Sequence, residues 1–264
     1  MADFRPVQAG DEAALTALWH ESFGDPEELI REFLQLLPEM GFGLAAFVDN
    51  RLAGAAYMIE GIACTGKEEL PCAYLYAVAV DPAFRRQGLG ASLSQGCAAL
   101  ARQRGARLLV TEPAEPSLFA WYERILGTTR RLGRKSRTIP AGLGFLPEAV
   151  SPEEYGRCRE ELLGNQPHMR PKSAALAFEK ALCRAYGGDL YRVGGGIAAA
   201  YRENGACVIR ELLGPEPEKG AAGLARYLGM ERALLLEAAA EGEDYLAYDG
   251  PALPPDFHWG ISFD

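Results

Sequence analysis

The sequence predicts an α/β (α+β) protein: a mixed, mostly antiparallel sheet flanked by helices, followed by a second half that repeats the pattern in degenerate form. Three observations carry this expectation. Between residues 73 and 106 an apolar strand (AYLYAVAVDP) runs into a basic, glycine-bearing loop (AFRRQGLG) and then a long amphipathic helix (ASLSQGCAALARQRGA). Upstream, short apolar runs are joined by tight turns such as Asp49-Asn50, the chemistry of hairpins. Downstream, DLYRVGGGIAAAYRENG repeats the rhythm of GLAAFVDNRLAGAAYMIEG, and GLARYLGMERALLLEAAAE that of ALARQRGARLLVTEPAE.

The chain of 264 residues is comfortable for two domains, expected at 1–140 and 148–264 around a linker near residues 140–147. Residues 4–7 read as a first edge strand. Asp11 opens a helix with Ala14, Leu15, Leu18, Trp19 and Phe23 at helical spacing, and Gly24-Asp25-Pro26 ends it. Pro26 suits the start of a second helix, expected through Leu36. Residues 43–48 and 52–62 form a hairpin, and the turn at Gly66-Lys67-Glu68-Glu69 leads into the strand 73–80. The next helix runs to about Gln103 with Gly105 as C-cap. Because a helix connects them, the strand at 107–111 is expected parallel to 73–80. Prolines 113 and 116 break the chain, Ser117 reads as the N-cap of a helix through Leu126, and 128–140 closes the first domain. In the second half, helices are expected from Ser151 and over 172–186. Three antiparallel strands follow at 189–193, 197–201 and 206–213, turning at Gly194-Gly195-Gly196 and Glu203-Asn204-Gly205.

Hydrophobic content of 48% with 24% charged residues is ordinary for a globular protein. The net charge of −9 argues against a general nucleic-acid binder, which needs a basic face, and reads most simply as a solubility feature. No stretch approaches the about 20 apolar residues of a membrane span, and the opening MADFRPVQAGDEAAL has no basic region followed by an apolar run. A cytoplasmic protein is therefore expected, a monomer or homodimer, with no nucleic-acid or membrane partner. Cysteines 64, 72, 97, 158, 183 and 207 show no CxxC pairing and read as reduced thiols; histidines 20, 168 and 258 are isolated, so no metal site is expected.

The chemistry concentrates in the loop Arg85-Arg86-Gln87-Gly88-Leu89-Gly90. The first amides of a helix have no intrahelical partner and the dipole adds positive charge there. Glycines at 88 and 90 remove Cβ, which permits close approach and positive φ, while Arg85 and Arg86 add fork-shaped cationic donors. Together these make an anion site suited to a diphosphate. A nucleotide P-loop would need Lys-Ser/Thr after its second glycine, and Gly90 is followed by Ala91-Ser92. A dinucleotide fingerprint would need a small residue where Leu93 stands.

Arg85-x-x-Gly88-x-Gly90 after a VAVDP strand resembles the acyl-CoA loop of the GNAT superfamily of N-acyltransferases. The resemblance implies acetyl-CoA as co-substrate and an amine acceptor. It implies cofactor contacts from Val78, Ala79 and Val80 on the strand and from Arg85, Arg86, Gln87, Gly88, Leu89, Gly90 and Ala91 on the loop. The strands ending near Val80 and Thr111 would splay apart to admit the pantetheine arm, bonded by the amides and carbonyls of Val78 and Val80. The two N-terminal helices would wall the acceptor site, with Trp19 and Phe23 either core residues, the simpler reading, or substrate contacts. The basic run Arg130, Arg131, Arg134, Lys135 and Arg137 reads as a solvated strand face, or else pairs with acidic surface or CoA phosphate.

The segment 121–127 (WYERILG) resembles the family's helix end, where a tyrosine protonates the leaving thiolate; that role falls to Tyr122. There are departures: Glu115 and Leu118 stand where many members carry Asn and Ala, and Gly127 comes one residue later than usual. Some members carry a base, Glu, where this chain has Tyr74, so Glu112 and Glu60 are the alternatives, beside proton loss to water. In the second half, Gly214-Pro215-Glu216-Pro217-Glu218 replaces the loop. Its prolines lack amide donors and its glutamates repel phosphate, so no CoA should bind there. The two-part layout resembles Eis-type members without their sterol-carrier-like domain, whose terminal carboxylate enters the active site. Here the aromatic tail at 256–264 should pack on the fold, and the Asp264 carboxylate is a candidate to reach Tyr122. A non-catalytic acyl-CoA-binding sensor, or an interaction protein with a vestigial loop, are the alternatives to an enzyme.

Overall fold

The computed structural model describes residues 2–240, 242–254 and 256–262. In chain order the elements are β1 (Asp3–Pro6), α1 (Glu12–Phe23), α2 (Glu27–Met40), β2 (Gly41–Val48), β3 (Arg51–Cys64), β4 (Glu69–Val80), α3 (Leu89–Gln103), β5 (Leu108–Thr111), α4 (Pro116–Leu126) and β6 (Arg130–Pro140). Then come β7 (Glu148–Ala149), α5 (Pro152–Leu163), β8 (His168–Pro171), α6 (Ser173–Ala185), β9 (Asp189–Val193), β10 (Gly196–Glu203), β11 (Ala206–Leu213), α7 (Pro217–Tyr227), β12 (Arg232–Ala239) and β13 (Glu243–Asp249). Among the described residues no helix is long and apolar enough to cross a membrane, and all six cysteines are free thiols.

The chain divides into two compact units. The first holds residues 1–63, 69–131 and 245–252; the second holds 64–68, 132–244 and 253–264. This differs from a single cut between 140 and 148. Residues 132–140, expected to close the first domain, belong to the second unit, where β6 pairs antiparallel with β12 from Pro140↔Arg232 to Gly133↔Ala239. Conversely β13 pairs antiparallel with β5 in the first unit, through Ala247↔Thr111 and Asp249↔Leu109. Each half thus contributes one strand to the sheet of the other, an exchange that local sequence pattern does not encode.

In the first unit the sheet order is β1-β2-β3-β4-β5-β13, antiparallel at β1/β2 and β2/β3 and parallel at β4/β5. One face packs on α3 through Leu44, Met58, Leu75, Leu93, Cys97 and Leu109. Burial pushes the Cys97 thiol up to about 12, so it remains a neutral core group. The aromatic side chains Trp19, Phe33, Tyr57 and Tyr76 form a second cluster, with ring centroids 4.8–5.6 Å apart. The α2 helix runs on to Met40 through Pro38, beyond the expected end at Leu36. A proline this near the C-terminus loses only a last-turn bond.

The second unit repeats the order helix, helix, three strands, helix, strand. Its sheet runs β6-β12-β11-β10-β9-β7, with β11/β12 parallel and the other pairs antiparallel. Ser151 caps α5, its hydroxyl accepting from the Glu154 N–H at 3.2 Å. The α7 face packs Ile209, Leu224, Leu228 and Leu235. The other helices cover a charged network. Fully buried Glu211 accepts from Tyr155 Oη (2.7 Å), Arg159 Nε (3.0 Å) and His258 Nε2 (2.6 Å). The tail is pinned there as expected, with Phe257, Trp259 and Ile261 buried. Gly260 has φ 74, and a Cβ on it would lie 2.2 Å from Glu211 Oε1, so only glycine fits.

Burial alone would raise the Glu211 pKa. Arg159 and His258 outweigh it, with help from Tyr155, and hold the carboxyl at about 2, below its ordinary 4.5. A depressed carboxyl contributes stability that is present above its unfolded value and lost as pH falls through the folded one. Chemical denaturation of the second unit should therefore show a loss of stability between about pH 4.5 and about pH 2 that Glu211→Gln removes. Glu211→Gln should itself cost roughly 3 kcal/mol at pH 7, because the buried Arg159 keeps only the partly exposed Glu160, at 3.4 Å, as a counter-charge.

Candidate active site

The site begins where β4 leaves β5. Their parallel ladder runs from Cys72↔Leu108 to Leu75↔Thr111, while β4 continues to Val80. Just past the last pair, Ala77 takes φ 46. A left-handed alanine costs roughly 1–2 kcal/mol and marks a bulge that turns the rest of the strand. The pairing stops where β5 ends, and β4 runs on for five residues without it. From Ala77 on, no described strand stands opposite β4 on this edge, so backbone groups there are open to an external partner. Ala77, Val78 and Val80 are half-buried and Ala79 is buried.

The turn that follows is built by Asp81. Its Oδ1 accepts from the Ala83 N–H at 2.8 Å, its carbonyl from the Phe84 N–H at 2.8 Å, and its own N–H donates to Ala53 O at 3.0 Å. Arg85 folds back, and its Nε donates to the Val80 carbonyl at 3.0 Å. The Val80 carbonyl therefore accepts one bond within the chain and keeps a second lone pair. Arg86, Gln87 and Gly88 are exposed. Positive φ occurs at Arg86 (63°) and Gly88 (80°), and Gly88 is the N-cap of α3. Gly90, expected to share that conformation, is helical. A Cβ there would meet only Val80 Cγ2 at 3.7 Å and Trp121 at 4.0 Å, so the protein itself does not require glycine at 90.

The Ser92 N–H donates to Gly88 O at 3.0 Å, the first turn of the helix. Among the described residues no acceptor faces the six consecutive amides of residues 86–91. A row of six N–H donors, two of them on left-handed residues, with the helix dipole behind and the Arg86 charge beside, is a preorganised cradle for an oxyanion group.

Tyr122 lies on α4, 7% exposed, in the same core cluster as Leu75, Cys97 and Leu109, edge-on to Trp121 at 4.8 Å. The helix starts at Pro116 with Glu115 as N-cap, so Ser117, expected in that role, lies in the first turn. Proline's fixed φ suits the first helical position. Gly127 closes the helix at φ 73, its N–H donating to Glu123 O at 2.9 Å, so the late glycine is accommodated.

The two carboxylates expected as bases differ in position. Glu112 directly follows the last residue paired between β5 and β4, at the mouth of the fork; it is half-buried and its Oε2 is shielded from solvent. Glu60 on β3 accepts from Arg104 Nε at 2.6 Å. Arg104 follows the last residue of α3, and the 15 residues of that helix put it about 22 Å from the loop. Glu60 is therefore an ion-pair partner at the far end of α3. Trp19 is buried with its Nε1–H on Asp25 Oδ2 at 2.7 Å, which supports the core reading, whereas Phe23 is half exposed. Within the basic run of β6, Arg137 pairs with Glu237 and Glu218, and Arg131 with Glu123. Asp264 lies outside the described residues. Sequence reasoning missed the bulge at Ala77, since alanine carries no signal for positive φ, and the anchoring of Arg85.

Residues 3–125 match the model of a protein family described as Acetyltransferase (GNAT) domain. No curated protein matches the sequence. Among solved structures, a conserved Enterococcus faecalis protein is similar at 14% identity with a TM-score of 0.70, over 94% of this chain and 72% of that one. Eis1 from Mycobacterium abscessus is similar at 17% identity, TM-score 0.64, over 93% and 73%. A Pyrococcus horikoshii protein matches at 15% identity, TM-score 0.64, over 98% and 94%. At these identities the likeness is one of fold, and it extends over both units.

Because Gly90 is helical and has room for a methyl group, Gly90→Ala should stabilise the first unit by roughly 0.5–1 kcal/mol, the helix-interior difference between the two residues. Urea denaturation monitored through the tryptophans is the measurement; a loss of stability would show that the protein's own packing demands the glycine.

Proposed function

We propose that the protein, whose residues 3–125 match the model of a family described as Acetyltransferase (GNAT) domain, is an N-acetyltransferase that moves an acetyl group from acetyl-CoA to a primary amine of a small molecule or peptide. The observation that carries this reading is the row of unpartnered amides at residues 86–91 beside the open edge of β4. One group answers the diphosphate of CoA, the other its amide-bearing pantetheine arm. The space left by the missing Cβ at Gly90 fits the same ligand.

In this reading the amides of residues 86–91, with Arg86, hold the diphosphate, and Arg85 fixes the end of β4 through Val80. Val78 and Ala79 bond the pantetheine, and the N–H of Val78 polarises the thioester carbonyl. The neutral amine nitrogen attacks that carbonyl carbon, the C–S bond breaks, the leaving thiolate takes the Tyr122 proton, and the extra proton on the new amide nitrogen passes to the Tyr122 phenolate. An alkylamine is mostly protonated at pH 7 and must lose a proton first. Glu112, at the mouth of the fork, is the carboxylate that takes it directly or through water. Glu60, bound to Arg104, is not retained for that role.

Three variants test the assignment. Arg86→Glu should lower acetyl-CoA affinity at least tenfold in calorimetry, and Gly90→Ala should lower it while leaving the fold intact. Tyr122→Phe should cut kcat by roughly 10²-fold with acetyl-CoA affinity unchanged; an unaltered rate removes Tyr122 from the acid role. Glu112→Gln should depress kcat/KM most at low pH, where the amine is most fully protonated. If thiol release stays at background with a broad amine panel while acetyl-CoA still binds, the protein is an acyl-CoA sensor, a reading favoured only by Tyr74 standing where a base is common.

A further inference from the structure

The second unit keeps the fork of the first and discards its diphosphate cradle. The parallel ladder between β11 and β12 runs from Cys207↔Ala233 to Ile209↔Leu235, while the strands continue to Leu213 and Ala239. The register of β11 with β10 slips at Arg210, which stands three residues before the strand's end just as Ala77 does in β4. Beyond the ladder lies a cleft of about 460 Å³, lined by Leu212, Leu213 and Leu236 from the strands and by Gln166, Asp256 and His258. We propose that this fork is a binding site for the extended backbone of a peptide carrying a free amine.

Four features select that ligand. The facing edges of β11 past Ile209 and β12 past Leu235 have no strand between them, so their backbone groups can add an extended chain as a further strand. The head of α7 excludes a phosphate-bearing ligand. Pro217 occupies its first position, Glu216 is the N-cap, and Glu218 stands in the first turn, so amides are lost and negative charge is added. The cleft is then walled by His258, held in place by its Nε2 contact to Glu211 at 2.6 Å. Finally, no lysine or arginine lines the cleft. Glu237 is already held by Arg137, whereas Asp256 has no cation among the described residues. An ammonium group finds a counter-charge at Asp256.

The site involves only second-unit residues, so it stands apart from acetyl-CoA binding. The full chain, without acetyl-CoA, is titrated with N-acetyl-Ala-Ala-Lys-Ala-amide and with the same peptide acetylated on its lysine. Chemical-shift changes and calorimetry provide the readout. Saturable binding of the amine form, at least tenfold weaker for the acetylated form and not displaced by CoA, is expected. Because His258 helps hold the buried Glu211, a substitution there risks the fold; Ala238→Trp, at an exposed position on β12 that lines the cleft, fills it instead and should lower the affinity at least tenfold. Absence of saturable binding at millimolar peptide, equal binding of both peptides, or an affinity unaffected by Ala238→Trp overturns the proposal.

Discussion

The departure of β4 from β5 is the constraint on which the first unit depends. A parallel pair cannot stay zipped and also admit a ligand along its edge. The left-handed Ala77 resolves this by turning the strand just after the Leu75↔Thr111 pair. Everything downstream inherits that turn. Asp81 reverses the chain, Arg85 ties the loop back to Val80, and α3 begins with its donors uncovered. The backbone strain at Ala77 and Arg86 is small against the packing of the sheet on α3, which holds the geometry in place.

The second unit shows the same device under different chemistry. It retains the sequence of elements, the parallel pair and the irregularity before the end of the third strand. What changed is the head of the helix, where prolines and glutamates replace arginines and glycines. A buried charge network around Glu211 holds the C-terminal tail. Such a network is weak evidence of net stabilisation, since desolvation opposes it, but it specifies position sharply: the tail can pass only with glycine at 260.

Most of the fold was legible because the signals are local. Gly24, Gly88, Gly127 and Gly187 carry the positive φ that ends or begins helices, and hairpin turns at Asp49-Asn50 and Asn204-Gly205 do the same for strands. The anion loop was legible for the same reason, since unpaired amides follow from any helix start. The candidate base was not. Glu60 and Glu112 look alike as strand-end carboxylates, and only packing sends one to Arg104 at the far end of α3 and leaves the other at the mouth of the fork. The His258–Glu211 pair was equally hidden, because its two members lie 47 residues apart and neither belongs to a motif.

By itself the sequence determined the order of helices and strands, the repeat and the position of the loop. These depend on the φ/ψ preferences of single residues and on apolar periodicity, both of which act over a few neighbours. Only the tertiary structure decided which strand completes which sheet. β6 joins the second unit and β13 the first, although each follows the other half in the chain. Strand edges are chemically alike, and the choice between them is made by register and packing across long sequence separations, which no local pattern records.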